Sequence, residues 1–502
     1  MRRTLSLVTA LAVAALGSVA AAPAHADQGY TTTYESIPGD GSTPIRAFVV
    51  KPDGNGPFPL LVMPSSWSLL DGEYLGAAVK LASTSGYEVI SYTSRGFWDS
   101  GGQIEVAGPK DVGDASALIT WAIAHRHADP SKVGMAGVSY GAGIALLTAA
   151  KDKRVRAVAA MSGWADLIAS LYPNRTVSEQ AAGGLLLLGN VTGRPSPDLI
   201  KVQNAYLSDD IAKVLPLAAT RGAATYLSRL NAAHPAVMIG NQWEDGIFPP
   251  SQVTDFFTRL TGPKHLMLQP GDHGTADLLG AVGLPNDTWA AATRWFDHYL
   301  RGSANGVDRE DPITVKAANG GGWLSFPSLS AMGPHLLRYG ISAQRISAGV
   351  PTVADSGVVE VTGASQQAGI SWKIKLSDVD RRNALVWTGP VLPVATSVGG
   401  FPLLHTTVTP SAPNTSLFAY LYDVGPDGVG SLITYKPYTL RGALPGRALP
   451  IDLRLEPIRW NVAAGHRFAL VIDTMDVRYR SMSRTGTTLT FTSPTTLTLP
   501  TS

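Results

Sequence analysis

The sequence predicts an α/β domain followed by an all-β domain, and three observations carry that reading. Short apolar strand candidates alternate with helical patterns from Tyr30 to about Tyr299. Beyond about Val307 the pattern changes to Thr/Val/Leu alternation punctuated by Gly, Pro and Asp. The composition, 45% hydrophobic and only 16% charged, supports a large buried core and excludes a disordered chain. At 502 residues the chain exceeds what one core organises and predicts two or three domains. Its 52 glycines and 35 prolines follow no G-X-Y period and form no Pro-rich run, which excludes collagen-like and linker-like chains.

Residues 1–26 read as a secretory signal peptide. Arg2 and Arg3 open it, an apolar Ala/Leu/Val stretch runs to about Ala22, and Ala24-His25-Ala26 offers small-residue cleavage after Ala26. Arg2-Arg3-Thr4-Leu5 is also compatible with a twin-arginine signal. No later segment runs 18 apolar residues without a charge, so the expected mature protein is secreted and not inserted in a membrane. Removing Arg2 and Arg3 from 40 basic residues leaves 38 against 38 acidic ones. A neutral chain without a basic block argues against a nucleic-acid partner. Zero cysteines exclude disulfides, thiolate nucleophiles and Cys-ligated metals. No metal-ligand cluster is seen, so no metal and no cofactor are expected.

The strand candidates of the first domain are Leu60–Met63, Glu88–Tyr92, Val133–Ala136, Ala157–Ala160, Ala236–Ile239 and His265–Leu268. A helix over 111–124 places Val112, Ala115, Leu118, Ile119 and Ala122 on one face, with Asp111 and Asp114 near its N-terminus. Between Trp164 and His234 the rhythm becomes helical and turn-rich, which predicts a cap inserted into the sheet domain. The expected boundaries are 27–306 for the α/β domain, with the cap at about 164–234, and 307–502 for a β-sandwich of jelly-roll type. Its strand candidates include Leu417–Tyr422, Arg467–Ile472 and Thr487–Thr492. No long Ser/Pro/Gly tether separates the two domains, so the β domain is expected to pack tightly on the first.

The chemistry centres on Gly137-Val138-Ser139-Tyr140-Gly141, a G-x-S-x-G pattern between the strand candidate at 133–136 and a helical run at 142–147. That strand–turn–helix setting lifts a serine Oγ clear of the sheet and aims the Tyr140 N–H at a reacting carbonyl oxygen. A serine needs a base, and the base an orienting carboxylate. Asp245 follows one strand candidate and His273 the next, so the order Ser139, Asp245, His273 matches the α/β-hydrolase arrangement. Glu244 and Asp272 are rivals for the acid role. A histidine near its ordinary pKa predicts activity declining as pH falls through roughly 6 to 7.

The segment Gly134–Gly141, Trp243-Glu244-Asp245 and Gly271-Asp272-His273-Gly274 resemble the cocaine esterase and X-prolyl dipeptidyl aminopeptidase group of serine hydrolases. The resemblance extends through Tyr92–Gly96 and Ser100–Gly102, then through Asp423–Gly428 and Ala464–Phe468 of the β domain. It implies an α/β-hydrolase with a helical cap and a jelly-roll partner. Two positions depart from the group. Trp98 stands where a glycine is usual. Ser65 of Met63-Pro64-Ser65-Ser66-Trp67 stands where the group commonly places an oxyanion-hole tyrosine. The second oxyanion donor is then Ser65, the Ser66 hydroxyl, or a backbone N–H of Ser66 or Trp67.

Trp67, Trp164 and Trp243 are candidates to wall a substrate pocket, against the alternative that they are buried between the layers. Among the cap acids Asp166, Glu179, Asp198, Asp209 and Asp210, one is a candidate to bind a substrate ammonium. The reading favoured is an exported serine hydrolase acting on a small-molecule ester or a peptide through an acyl-enzyme. An X-prolyl dipeptidyl aminopeptidase and an acyltransferase with the same triad are the alternatives, and a noncatalytic polysaccharide-binding protein is disfavoured by the intact triad. Oligomeric state has no signal in the sequence.

Overall fold

The computed structural model describes residues 29–502, so the expected signal peptide at 1–26 lies outside the described residues. The first layer is a ten-stranded sheet built from β1 (Tyr30–Pro38), β2 (Pro44–Pro52), β3 (Phe58–Pro64), β4 (Glu88–Tyr92), β5 (Ala128–Val138), β6 (Val155–Met161), β7 (Ala236–Gln242), β8 (Lys264–Gln269), β9 (Ile313–Lys316) and β10 (Trp323–Phe326), in the order β1-β2-β4-β3-β5-β6-β7-β8-β9-β10. The central run from β4 to β9 is parallel, whereas β1, β2 and β10 join antiparallel at the edges. The sheet therefore continues past residue 306, where the domain boundary was expected. β9 and β10 are only four residues each, too short to show against the Thr/Val/Leu texture that follows.

Both faces of the parallel strands are covered, which is why these strands read as continuous apolar runs. Leu60, Val62, Ile90, Val158 and Ile239 point to one face, packing with Leu118, Ile119, Ile144 and Leu147. Leu61, Met63, Val89, Ala159 and Met238 point to the other, against Trp295, Phe296 and Leu300. The alternation by one residue is the period of two that a strand imposes. Between β6 and β7 the chain is helical, with helices at Leu167–Leu171, Glu179–Thr192, Pro197–Leu207, Leu215–Ala219 and Leu227–Ala233.

The C-terminal part is an all-β antiparallel unit of two sheets, one of seven strands and one of five. Two of its strand candidates are longer than the sequence suggests, Thr415–Val424 and Thr488–Thr501. A short helix at Val361–Gln367 also belongs to it. The two domains share a polar and partly buried seam. Glu456 accepts from the Ser251 backbone N–H at 2.9 Å and pairs with Lys436, and Arg441 bonds Asp209 at 2.8 Å. Residues 177–180 of the cap run antiparallel to 477–480, through the Ser178–Tyr479 bridge and the bonds from Gln180 N–H to Arg478 O at 3.1 Å and from Arg480 N–H to Val177 O at 2.9 Å.

Candidate active site

Ser139 occupies a tight turn between β5 and the helix Tyr140–Ala149, with φ 57° and ψ −118°. A side chain rarely adopts that conformation, and it is stable here because the neighbours leave it no alternative. A Cβ on Gly137 would overlap the Gly141 carbonyl, and one on Gly141 would overlap the Pro64 carbonyl. The two glycines are thus required by close backbone approach. The turn leaves the Tyr140 N–H at the helix N-terminus without an intramolecular partner among the described residues, a position suited to negative charge.

The structure brings the three residues singled out in the sequence together. Ser139 Oγ lies 2.8 Å from His273 Nε2, and His273 Nδ1 lies 3.1 Å from each Asp245 oxygen. Asp245 follows β7 and is itself fixed by the N–H groups of Ile247 and Phe248, which donate to Oδ1 at 3.0 and 2.7 Å. The Phe248 ring stands edge-on to the imidazole with centroids 5.1 Å apart. Burial alone would lower the His273 pKa, but the adjacent Asp245 carboxylate outweighs it and holds the imidazole above the ordinary histidine value. The acid limb is therefore expected above the ordinary histidine value. Of the rivals, Glu244 does not contact the histidine, and burial pushes its carboxyl up to about 8. Asp272 accepts the His273 backbone N–H at 2.9 Å and does not bond the ring.

The expected side-chain oxyanion donors are not available. Ser65 is fully buried, its N–H donates to Tyr92 O, and its Oγ accepts from Ser94 N–H at 3.1 Å. Glu73 takes both groups of Ser66, the N–H and the Oγ each at 2.6 Å. Burial pushes the Glu73 carboxyl up to about 7. The Trp67 N–H is the remaining candidate of that loop, without a partner among the described residues.

The three tryptophans separate. Trp67 is half-buried, packs edge-on to Tyr140 at 5.1 Å and to Phe97 at 4.9 Å, and donates to Leu185 O of the cap. Trp164 is buried and donates to Arg221 O at 2.6 Å, while Trp243 is buried and donates to Lys316 O at 2.7 Å. Those two are structural wedges, and the expectation that they wall a pocket is corrected. Each cap acid is also already engaged. Asp166 caps the 167–171 helix, Glu179 pairs with Arg480, Asp198 with Arg221, Asp209 with Arg441, and Asp210 with Lys213.

Sequence reading missed the groups that hold the histidine loop. Gly274 N–H donates to Ser162 Oγ at 3.0 Å, and Ser162 Oγ in turn bonds Asp277 and Gln242. From the β domain, Arg478 approaches Asp272 and the Glu360 N–H donates to it. These partners lie far apart in the chain, and no local motif announces them.

A serine on such an elbow, in a parallel sheet with a helical insertion, defines a serine hydrolase of α/β-hydrolase architecture. The X-Pro dipeptidyl-peptidase (S15 family) profile matches residues 40–275, and the X-Pro dipeptidyl-peptidase C-terminal non-catalytic domain matches residues 305–501. The two profiles match the α/β domain and the β domain in turn. A Bacillus anthracis protein whose name proposes an Xaa-Pro dipeptidyl-peptidase is 23% identical over 448 residues, covering 81% of this chain and 72% of its own. A Mycobacterium tuberculosis protein whose name proposes a serine esterase is 24% identical over 225 residues, 42% of this chain and 36% of its own. Among solved structures, an α-amino acid ester hydrolase superposes with TM-score 0.70 at 15% identity, covering 96% of this chain and 98% of that one. An aminopeptidase from a Thaumarchaeota archaeon superposes with TM-score 0.72 at 13% identity, covering 96% and 99%. A CocE/NonD family hydrolase from Staphylococcus aureus gives 0.67 at 13%, covering 95% and 93%. At these identities the likeness is one of fold.

Proposed function

We propose that this serine hydrolase cleaves ester or activated amide bonds through an acyl-enzyme, with Ser139 as nucleophile, His273 as general base and then acid, and Asp245 as the orienting carboxylate. The observation that carries the reading is the continuous chain from Ser139 Oγ through the imidazole to Asp245, at 2.8 and 3.1 Å, on a positive-φ elbow. In the first step the serine oxygen attacks the carbonyl carbon and its proton passes to His273 Nε2. The oxyanion is received by the N–H groups of Tyr140 and Trp67, and the imidazolium returns the proton to the leaving group. Water then repeats the sequence on the acyl-enzyme. An alcohol in place of water would give an acyltransferase from the same groups.

The family descriptions favour a second reading, X-Pro dipeptidyl-peptidase activity. That activity needs a site for a free peptide amino terminus, and the cap acids considered for it are already paired. Ester cleavage is accordingly the first choice. Purified protein is to be assayed against p-nitrophenyl esters of graded acyl length beside X-Pro anilides, with fluorophosphonate labelling of wild type and Ser139→Ala. Ester turnover with labelling confined to wild type is expected. Anilide turnover exceeding that of every ester would favour the peptidase, and labelling of folded Ser139→Ala would reject the nucleophile. Export with cleavage after Ala26 belongs to the same proposal, and N-terminal sequencing of protein from the culture medium should begin at Asp27.

A further inference from the structure

Asp272 and Arg478 stand outside the chain from Ser139 to Asp245, yet both are buried beside it, 0% and 1% exposed. Each Asp272 oxygen accepts two backbone N–H groups. Oδ1 accepts from Gly246 at 2.8 Å and from His273 at 2.9 Å, so one atom joins the turn carrying Asp245 to the loop carrying the imidazole. Oδ2 accepts from Glu360 at 3.0 Å and from Gly363 at 3.2 Å, both in the β domain. All four lone-pair directions of the carboxylate are then used, two by each domain.

Arg478 supplies the counter-charge. Its Nη2 is 3.8 Å from Asp272 Oδ2, and the guanidinium is fixed by donating to the Tyr435 hydroxyl at 2.8 Å, Gly357 O at 3.2 Å and Val358 O at 3.3 Å. The packing around the pair leaves no slack. A Cβ on Gly246 would sit 2.8 Å from Arg478 Nη1, and one on Gly363 would sit 2.6 Å from both the Asp272 nitrogen and its Cβ. Glu360, although not glycine, adopts φ 69° to present its N–H to the carboxylate. An ionised group is expensive to bury unless its partners are all in place, so a carboxylate here implies a requirement for every one of these bonds.

We propose that Asp272 is a positioning residue of the reaction, through which Arg478 and the 357–363 segment of the β domain hold His273 in register with Asp245. The inference rests on the roles assigned to Ser139, His273 and Asp245 above. It makes the second domain part of the catalytic geometry without contact with substrate. It also has an electrostatic signature. The titratable groups facing the imidazole are Asp245, Glu360, Asp272 and Glu73, with Arg478 behind Asp272 and Glu360. Removing the Asp272 charge makes the imidazolium less favourable and moves the acid limb to lower pH.

The test compares full-length wild type, Asp272→Asn and Gly363→Ala by ester kinetics across pH. An amide offers one acceptor oxygen in place of two, so the loop is released. Asp272→Asn is expected to lose about 10²-fold in kcat with KM changed less than about twofold, and its acid limb should lie at lower pH. Gly363→Ala displaces the carboxylate without neutralising it, so its kcat should fall by about tenfold with the acid limb unmoved. An unmoved acid limb, or a kcat within about twofold of wild type, in folded Asp272→Asn would overturn the proposal. If that variant does not fold, Gly363→Ala decides, and an unchanged kcat there overturns it. Activity remaining in Ser139→Ala would instead sink the site assignment, so the two failures are distinguishable.

Discussion

The loops that carry Ser139 and His273 reach the same point in space by opposite means. The serine turn is recognisable from five residues of sequence. Gly137 and Gly141 permit the close approach, β5 leads in, and the Tyr140–Ala149 helix leads out. The histidine loop has one glycine of its own at each side of Asp272-His273, and its position depends on Ser162, Gly246, Glu360 and Gly363. The nucleophile is set within one domain, by a strained elbow packed on β3 and β6, whereas this base is set by assembly of two. Damage should follow the same division, local at the first and long-range at the second.

The largest separation is expected between Asp245→Asn and Glu244→Gln. The former replaces the carboxylate facing His273 Nδ1 with a neutral amide and should cost about 10³ to 10⁴ in kcat, the latter less than about tenfold. Equal losses would show that the acid role is shared. At the serine turn, Gly141→Ala forces a methyl group onto the Pro64 carbonyl and should cost about 3 kcal/mol of stability, read from the urea midpoint. A midpoint like that of wild type would remove the argument from close backbone approach. At the histidine loop the corresponding long-range break is a chain ending after Phe326, which keeps all ten strands but removes Arg478, Glu360 and the seam at Glu456. It should expose apolar surface and lose turnover of even the smallest ester; a soluble fragment with full activity would count against assembly.

The pH profile sharpens the comparison. Because Asp245 raises the His273 pKa, activity should be present when the imidazole is neutral and be lost on acidification at a pH above the ordinary histidine value near 6.5. An acid limb at or below that value, with chemistry rate-limiting, would contradict the close pairing at 3.1 Å. The smallest effect is expected at Ser65→Ala. A true oxyanion donor costs about 10² to 10³ when removed, but Ser65 Oγ faces Ser94, and the loss in kcat should stay below about tenfold.

What was legible in the sequence follows the range of the interactions involved. The parallel strands were readable because each is buried on both faces and carries a continuous apolar run, and the helix now seen at Pro109–His125 because its apolar face recurs with helical period. The Ser139, Asp245 and His273 positions could be read because each lies just beyond a strand end. That the strands at 313–316 and 323–326 extend the first sheet could not be read, since four residues do not reveal which sheet they join. Ser65 and Ser66 were offered as oxyanion groups because their competing partners, Ser94 for the first and Glu73 for the second, lie in segments with no motif. Trp164 and Trp243 were offered to the substrate because a tryptophan's burial is decided by partners such as Arg221 and Lys316, distant in the chain.

The antiparallel contact between 177–180 and 477–480 bears on how substrate arrives. A cap joined only to the sheet could swing as a lid about its two connections, and turnover would then carry the rate of that hinge. Here the cap is riveted to a third body by main-chain bonds, by the Glu179–Arg480 pair and by Asp209 between Arg441 and Arg480. Swinging it open would require undocking the β domain as well. Any movement of the cap over the Ser139 elbow accordingly carries the cost of breaking the seam with the β domain.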